Sequence, residues 1–130
     1  MGRMREIKFR GRKINTNKWV VGNLGYTKTS GGNSGILVDG KLHIVDSETV
    51  SQYTGLKDSK GNEIYDGDIV QISGHPFQGS IDIDGNYVVG YNEYMELSCG
   101  GWYLHRMRHW AEVIGNKFEN KELLKGADEE

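Results

Sequence analysis

Only one cysteine, Cys99, and one proline, Pro76, occur in this chain of 130 residues. A lone thiol excludes an intramolecular disulfide and suits a reducing compartment such as the cytoplasm. With proline nearly absent, a proline-rich linker is excluded as well. No uninterrupted apolar run approaches the ~20 residues that a membrane helix needs. The first residues also lack the apolar core of a secretory signal. These absences lead to the expectation of a soluble, cytoplasmic protein with no membrane partner. No long stretch carries a 3.6-residue period and no repeat emerges, so long helices and solenoids are not expected.

What the chain has in excess is glycine, at 19 residues. Glycine-rich and proline-poor composition suits many tight turns joining short strands. The mass of 14.6 kDa suits one domain, at a length where about two-thirds of the unfolded surface can be buried. The expected organisation is a single β-rich domain over residues 4–124, followed by a disordered acidic tail at 125–130.

Charge is divided along the chain. The net value is −2, yet residues 1–28 hold eight basic residues against Glu6 alone, and residues 29–100 hold three lysines against eleven carboxylates. Such polarity can steer an anionic partner to one end, or draw opposite halves together within one chain or between copies.

Several segments have the two-residue alternation of a half-buried strand. Ile7 and Phe9 share one face of Glu6 to Arg10. Val20, Gly22, Leu24 and Tyr26 share one face of Trp19 to Tyr26. Two apolar runs flank Asp39-Gly40, the strongest short-range hairpin signal, and residues 46–49 suggest a turn or one short helical turn. A second Asp-Gly pair, Asp84-Gly85, predicts another hairpin within Ile81 to Tyr91. Gly100-Gly101 marks a break or hairpin tip, and Ala111 to Ile114 a last short strand. Asn120 to Lys125 is the one helical segment expected, with Asn120 as its cap. The densest turn chemistry lies in Thr49 to Val70, at Thr54-Gly55, Lys60-Gly61-Asn62 and Asp66-Gly67-Asp68, before the strand signal Ile69 to Ile72. The fold class expected is mainly β: a small SH3-like or partly open β-barrel of hairpins with one short C-terminal helix.

Motifs that carry chemistry are sparse. The Ser/Gly/Asn loop Thr27 to Gly35 lacks the Gly-Lys-Ser/Thr ending of a phosphate-binding loop. His105 and His109 stand four apart in His-Arg-Met-Arg-His, a spacing that serves a metal only on a helix and with a third ligand. Solvated histidines are the simpler expectation, and with Arg106 and Arg108 they could form a small anion-binding patch. Cys99 lies in no recognisable cysteine-enzyme context and is expected to be a small buried or edge residue. Asp66 and Asp68 lack the carboxylate spacing of a calcium loop and read as turn formers. The aromatics Tyr53, Tyr65, Tyr87, Tyr91, Tyr94, Trp102, Tyr103 and Trp110 are expected mostly in the core, although exposed rings beside cations would stack unpaired bases.

Several blocks, taken in order, resemble the YopX-like proteins, an uncharacterised family encoded mainly by bacteriophages and prophages. They are Met4 to Gly11, Lys18 to Leu24, Thr49 to Leu56 with Gly61 to Val70, and Glu112 to Asn116 with Leu123-Leu124. The resemblance implies a mainly β, phage-encoded intracellular protein of the bacterial host, with self-association as a further expectation. It implies no catalytic residues.

The leading functional expectation is a non-catalytic accessory protein that binds a protein partner or a second copy of itself, without cofactor, metal or small-molecule substrate. A second reading is a nucleic-acid-binding small β-barrel. Its candidate contacts are Arg3, Arg5, Arg10, Arg12, Lys13 and Lys18, with Arg106 and Arg108 as further anion contacts. A third is a hydrolase that uses Cys99 with a histidine, or a carboxylate pair.

Overall fold

Asp39 and Gly40 have φ of 51° and 83°, the left-handed pair that a two-residue hairpin turn requires. They join β3 (Asn33–Val38) to β4 (Lys41–Asp46), in a register that places Val38 opposite Lys41 and Ile36 opposite His43. The structure is a computed structural model, and it describes residues 6–26, 32–76 and 83–124. Arg3, Arg5, residues 27–31 of the glycine-rich loop and the acidic tail lie outside the described residues. The chain divides into two compact units, Met1–Gly55 and Leu56–Glu130.

In the first unit, β1 (Phe9–Arg12) pairs with β2 (Trp19–Tyr26) and, on its other side, with β5 (Ser51–Lys57). The strand order is β4-β3-β2-β1-β5, with neighbouring strands antiparallel. The first strand begins later than the alternation of Glu6 to Arg10 predicts, and Ile7 is exposed. The second has the predicted bounds, with one difference in facing. A register shift between Leu24 and Tyr26 breaks the alternation, so Tyr26 is exposed while Leu24 stays half-buried. Ile36, Val45 and Tyr53 are buried in this unit. Lys13 makes a bridge to Val45, which curls the sheet without closing a barrel. The predicted helical turn is a 3-10 turn at Ser47–Thr49. Buried Thr49 holds it, its hydroxyl donating to the Asp46 carbonyl at 2.7 Å and accepting from the Arg12 N–H at 2.9 Å.

In the second unit β5 ends, and β6 (Glu63–Tyr65) and β7 (Asp68–Ile72) follow, joined by the predicted tight turn. Its carboxylate is turn chemistry: Asp68 Oδ2 accepts from the Tyr65 N–H at 2.7 Å. Then come β8 (Gly85–Tyr91), β9 (Leu97–Cys99), β10 (Trp102–Tyr103), α1 (Leu104–Met107), a 3-10 turn at Arg108–Trp110, β11 (Ala111–Asn116) and a 3-10 turn at Lys121–Leu124. The antiparallel sheet runs β10-β9-β8-β7-β11. Ile64, Val70, Ile72, Ile83, Val89, Cys99, Leu104, Met107 and Ala111 form its buried core.

Three expectations are corrected here. Asp84-Gly85 makes no hairpin among the described residues. Gly85 instead opens β8, which pairs with β7 over Gly85–Val88 and with β9 over Val89–Tyr91, and Ile83 is buried in the core, while residues 81 and 82 of that expected hairpin lie outside the described residues. The helix expected at Asn120–Lys125 is only the 3-10 turn Lys121–Leu124, because the Asn120 carboxamide accepts backwards from the Asn116 N–H at 3.1 Å. The α-helical turn lies earlier, at Leu104–Met107, where Leu104 and Met107 are both buried and packing supplies what propensity does not. The mainly β expectation is borne out: the described residues form two antiparallel sheets with one short α-helix and no closed barrel. Among the described residues no helix is long and apolar enough to cross a membrane.

Candidate functional site

A cleft of about 680 Å³ opens in the second unit. Its described lining comes from three places along the chain: His75, Ile83, and the continuous run from Trp102 to Trp110. His75 comes from the stretch after β7, Trp102 from β10, and His105, Arg106, Met107, His109 and Trp110 from α1 and the 3-10 turn that continues it. Ile83 and Met107 are core residues that also line the cleft, so its base is apolar and fixed. Trp102 and Trp110 are half-buried and pack against the same core. The rims are polar, with His105, Arg106 and His109 exposed.

Ring contacts set the Trp110 wall. The His75 and Trp110 centroids lie 4.4 Å apart at an interplanar angle of 59°, and His109 meets Trp110 edge-on at 5.9 Å and 82°. Both are arrangements that aromatic quadrupoles favour. The preceding turn is also tied down. The Arg108 Nη1 donates to the Lys57 carbonyl at 3.0 Å. The Ser59 N–H and hydroxyl both donate to the Ala111 carbonyl, at 2.9 and 2.8 Å.

Arg106 brings a positive charge to the rim of this cleft. Arg106 makes no hydrogen bond or ion pair among the described residues, and no carboxylate is among the described lining residues. Two tryptophans, three imidazoles and one guanidinium therefore face a common space. Among the described residues no three histidine, cysteine or carboxylate side chains gather to hold a metal.

The sequence-derived candidates separate. Arg106 lines the cleft, whereas Arg108 is engaged with Lys57. His105 and His109 do share a helical segment and do reach one space, which their four-residue spacing allows. Arg10 stacks over the Trp19 ring at 5.0 Å, and Arg12 pairs with Asp46 at 3.9 Å. Arg12 and Lys13, with Asn15, Thr16, Asn17 and Asp46, line a polar depression of about 400 Å³ in the first unit. Lys18 sits in the adjoining turn, its backbone N–H donating to the Thr16 hydroxyl at 3.1 Å. Cys99 is fully buried, and burial pushes its thiol up to about 12.

Sequence reasoning missed His75 and placed Trp102 and Trp110 among aromatics expected mostly in the core, with base stacking as the alternative for exposed rings. Both indoles serve the core and the cleft. The one signal available was a pair of tryptophans flanking His-Arg-Met-Arg-His. Of the other aromatics, Tyr53 and Tyr65 are buried, Tyr87 packs against the core, and Tyr91, Tyr94 and Tyr103 are exposed.

Fold and cleft together define a mainly β protein of two antiparallel sheets whose second unit presents an aromatic, cation-rimmed cleft. Residues 8–125 match the family model described as YopX protein. The chain belongs to that family, as its residue blocks led us to expect. Its fold is similar to that in the crystal structure of protein EF1440 from Enterococcus faecalis, with a TM-score of 0.57 and 20% identity, over 94% of this chain and 100% of that one. No curated protein matches the chain.

Proposed function

We propose that this protein is a non-catalytic binding module that holds its partner in the cleft of the second unit. In this reading it is an accessory protein of a phage or prophage, acting in the cytoplasm of the bacterial host. The observation that carries the proposal is the cleft itself: a fixed apolar base, two half-buried indoles and, at the rim, a guanidinium with no partner among the described residues. Its volume lies within the ~300–1,000 Å³ typical of ligand sites. The chemistry that catalysis would draw on points the same way. A thiol pushed up to about 12 is scarcely ionised near neutral pH, and the thiolate is the nucleophile.

Ligand-observed NMR tests this reading. The protein is incubated with a mixture of nucleotides, aromatic carboxylates, sugar phosphates and short peptides. The expected result is line broadening of at least one component that Trp102→Ala abolishes, with every component intact after prolonged incubation. New product signals, or broadening that survives Trp102→Ala, would overturn it.

A second reading, self-association, is favoured by the division of charge between the two units. Residues 1–55 carry nine basic residues against four carboxylates, and residues 56–130 carry seven against fourteen. The basic unit of one copy then suits the acidic unit of another.

A further inference from the structure

We infer that the cleft is a nucleotide site, which stacks a planar nucleobase on its indole surface and takes the attached phosphate on Arg106. The inference rests on the binding-module reading and adds the chemical class of the ligand.

Three features select that class. Stacking surface comes first. Trp102 and Trp110 are half-buried, pack against the core and line the cleft, and every nucleobase has a π-face to stack on. Charge comes second. An aromatic cage with no cation at its rim would suit a quaternary ammonium group. Here Arg106 would repel such a ligand, and no carboxylate among the described lining residues would neutralise it. The guanidinium instead matches a phosphate through two parallel N–H donors. Shape comes third. An extended peptide would seek a sheet edge, but the strand at this cleft, β10, has two residues, Trp102 and Tyr103. A compact ligand with one flat apolar part and one anionic part fits better. His105 and His109 supply further rim donors to base edges or phosphate oxygens.

The second unit as a whole is acidic. Its field works against a long polyanion lying across the surface. One nucleotide held locally is therefore favoured, either as a free monomer or as one unpaired base of a single strand.

The indole N–H cross-peaks in a two-dimensional ¹H–¹⁵N spectrum test the inference. The chain has three tryptophans, and Trp19, in the first unit, serves as the internal reference. The probes are adenosine monophosphate, adenosine, inorganic phosphate and an eight-residue oligothymidylate. Adenosine monophosphate should shift Trp102 and Trp110 and leave Trp19 in place. Adenosine should bind about tenfold more weakly, and phosphate alone should move neither indole. Trp102→Ala should weaken the monophosphate about tenfold or more. Arg106→Gln should reduce the monophosphate to the affinity of adenosine without changing adenosine itself. That pattern separates a phosphate contact from a structural role for Arg106. Similar affinity for monomer and oligomer identifies a free nucleotide as the ligand, whereas tighter, salt-sensitive oligomer binding identifies a single strand. Loss of the nucleotide class alone would appear as shifts with a peptide or aromatic carboxylate but with no base-containing probe. Silence of both indoles toward every probe and every component of the mixture would remove the nucleotide inference and the binding-module reading together.

Discussion

Asp58 shows how much one buried carboxylate can organise. It is only 4% exposed, and it follows the end of β5 where a loop must turn back. Its Oδ1 accepts from the N–H groups of Lys60 and Asn62 at 2.9 and 2.8 Å. Its Oδ2 accepts from the Val113 N–H at 2.8 Å and the Asn62 side-chain amide at 3.1 Å. Burial raises the pKa, but these four donors favour the charged form more strongly, and the net shift is downward. A carboxyl with a folded value below its unfolded value stabilises the fold above the unfolded value, near 4. That contribution is lost as pH falls through the folded value. Asp58→Asn keeps the shape but turns an NH₂ group toward at least one backbone donor. The expected cost is about 2–3 kcal/mol at neutral pH, read from urea denaturation. The variant should also lose part of the acid sensitivity that the native chain shows below about pH 4. Equal slopes of stability against pH in both proteins would contradict this account.

At the scale of an element, two glycine turns separate local strain from packing. Gly40 has φ of 83° and open space where a Cβ would stand. Gly100, at the β9–β10 hairpin, has φ of 64°, and an added Cβ would lie 2.4 Å from Cδ1 of Tyr87. The Tyr87 ring is not free to swing aside without loss, because its hydroxyl donates to the Ile83 carbonyl at 2.7 Å. Gly40→Ala should therefore cost about 1 kcal/mol, the ordinary left-handed penalty. Gly100→Ala should cost about 2–3 kcal/mol, since displacement of a packed ring adds to the same penalty. Thermal denaturation of the two variants, run side by side, checks the order. The second substitution also bears on the cleft, because Trp102 follows Gly100 by two residues and Ile83 lines the cleft.

For the whole molecule, the relevant quantity is the separation of charge between its two compact units. If copies associate through opposite charges, the mean mass from light scattering should fall as salt rises from 50 to 500 mM, because exposed pairs are screened beyond about 10 Å at 0.1 M and about 3 Å at 1 M. A mass that holds or rises with salt would point to apolar contacts. Val21, Leu37 and Leu42, exposed on the first sheet, would then be the residues to change. The cleft lies in the acidic unit, so salt should affect self-association and ligand capture differently.

Whatever depends on residues within a turn or two of each other was legible from the chain alone. The Asp39-Gly40 hairpin, the bounds of Trp19 to Tyr26, the Asp66-Gly67-Asp68 bend and the mainly β class follow from local φ preferences and two-residue alternation. Only tertiary structure decided whether the same dipeptide at Asp84-Gly85 would turn. There Gly85 pairs with Ile72 of β7, and Ile83 is buried in the core. It likewise made a helical turn of Leu104–Met107 and brought His75 to Trp110. The physical reason is the same in each case. These choices are set by burial and ring contacts between segments far apart in sequence, and no short-range pattern encodes which distant partner will supply them.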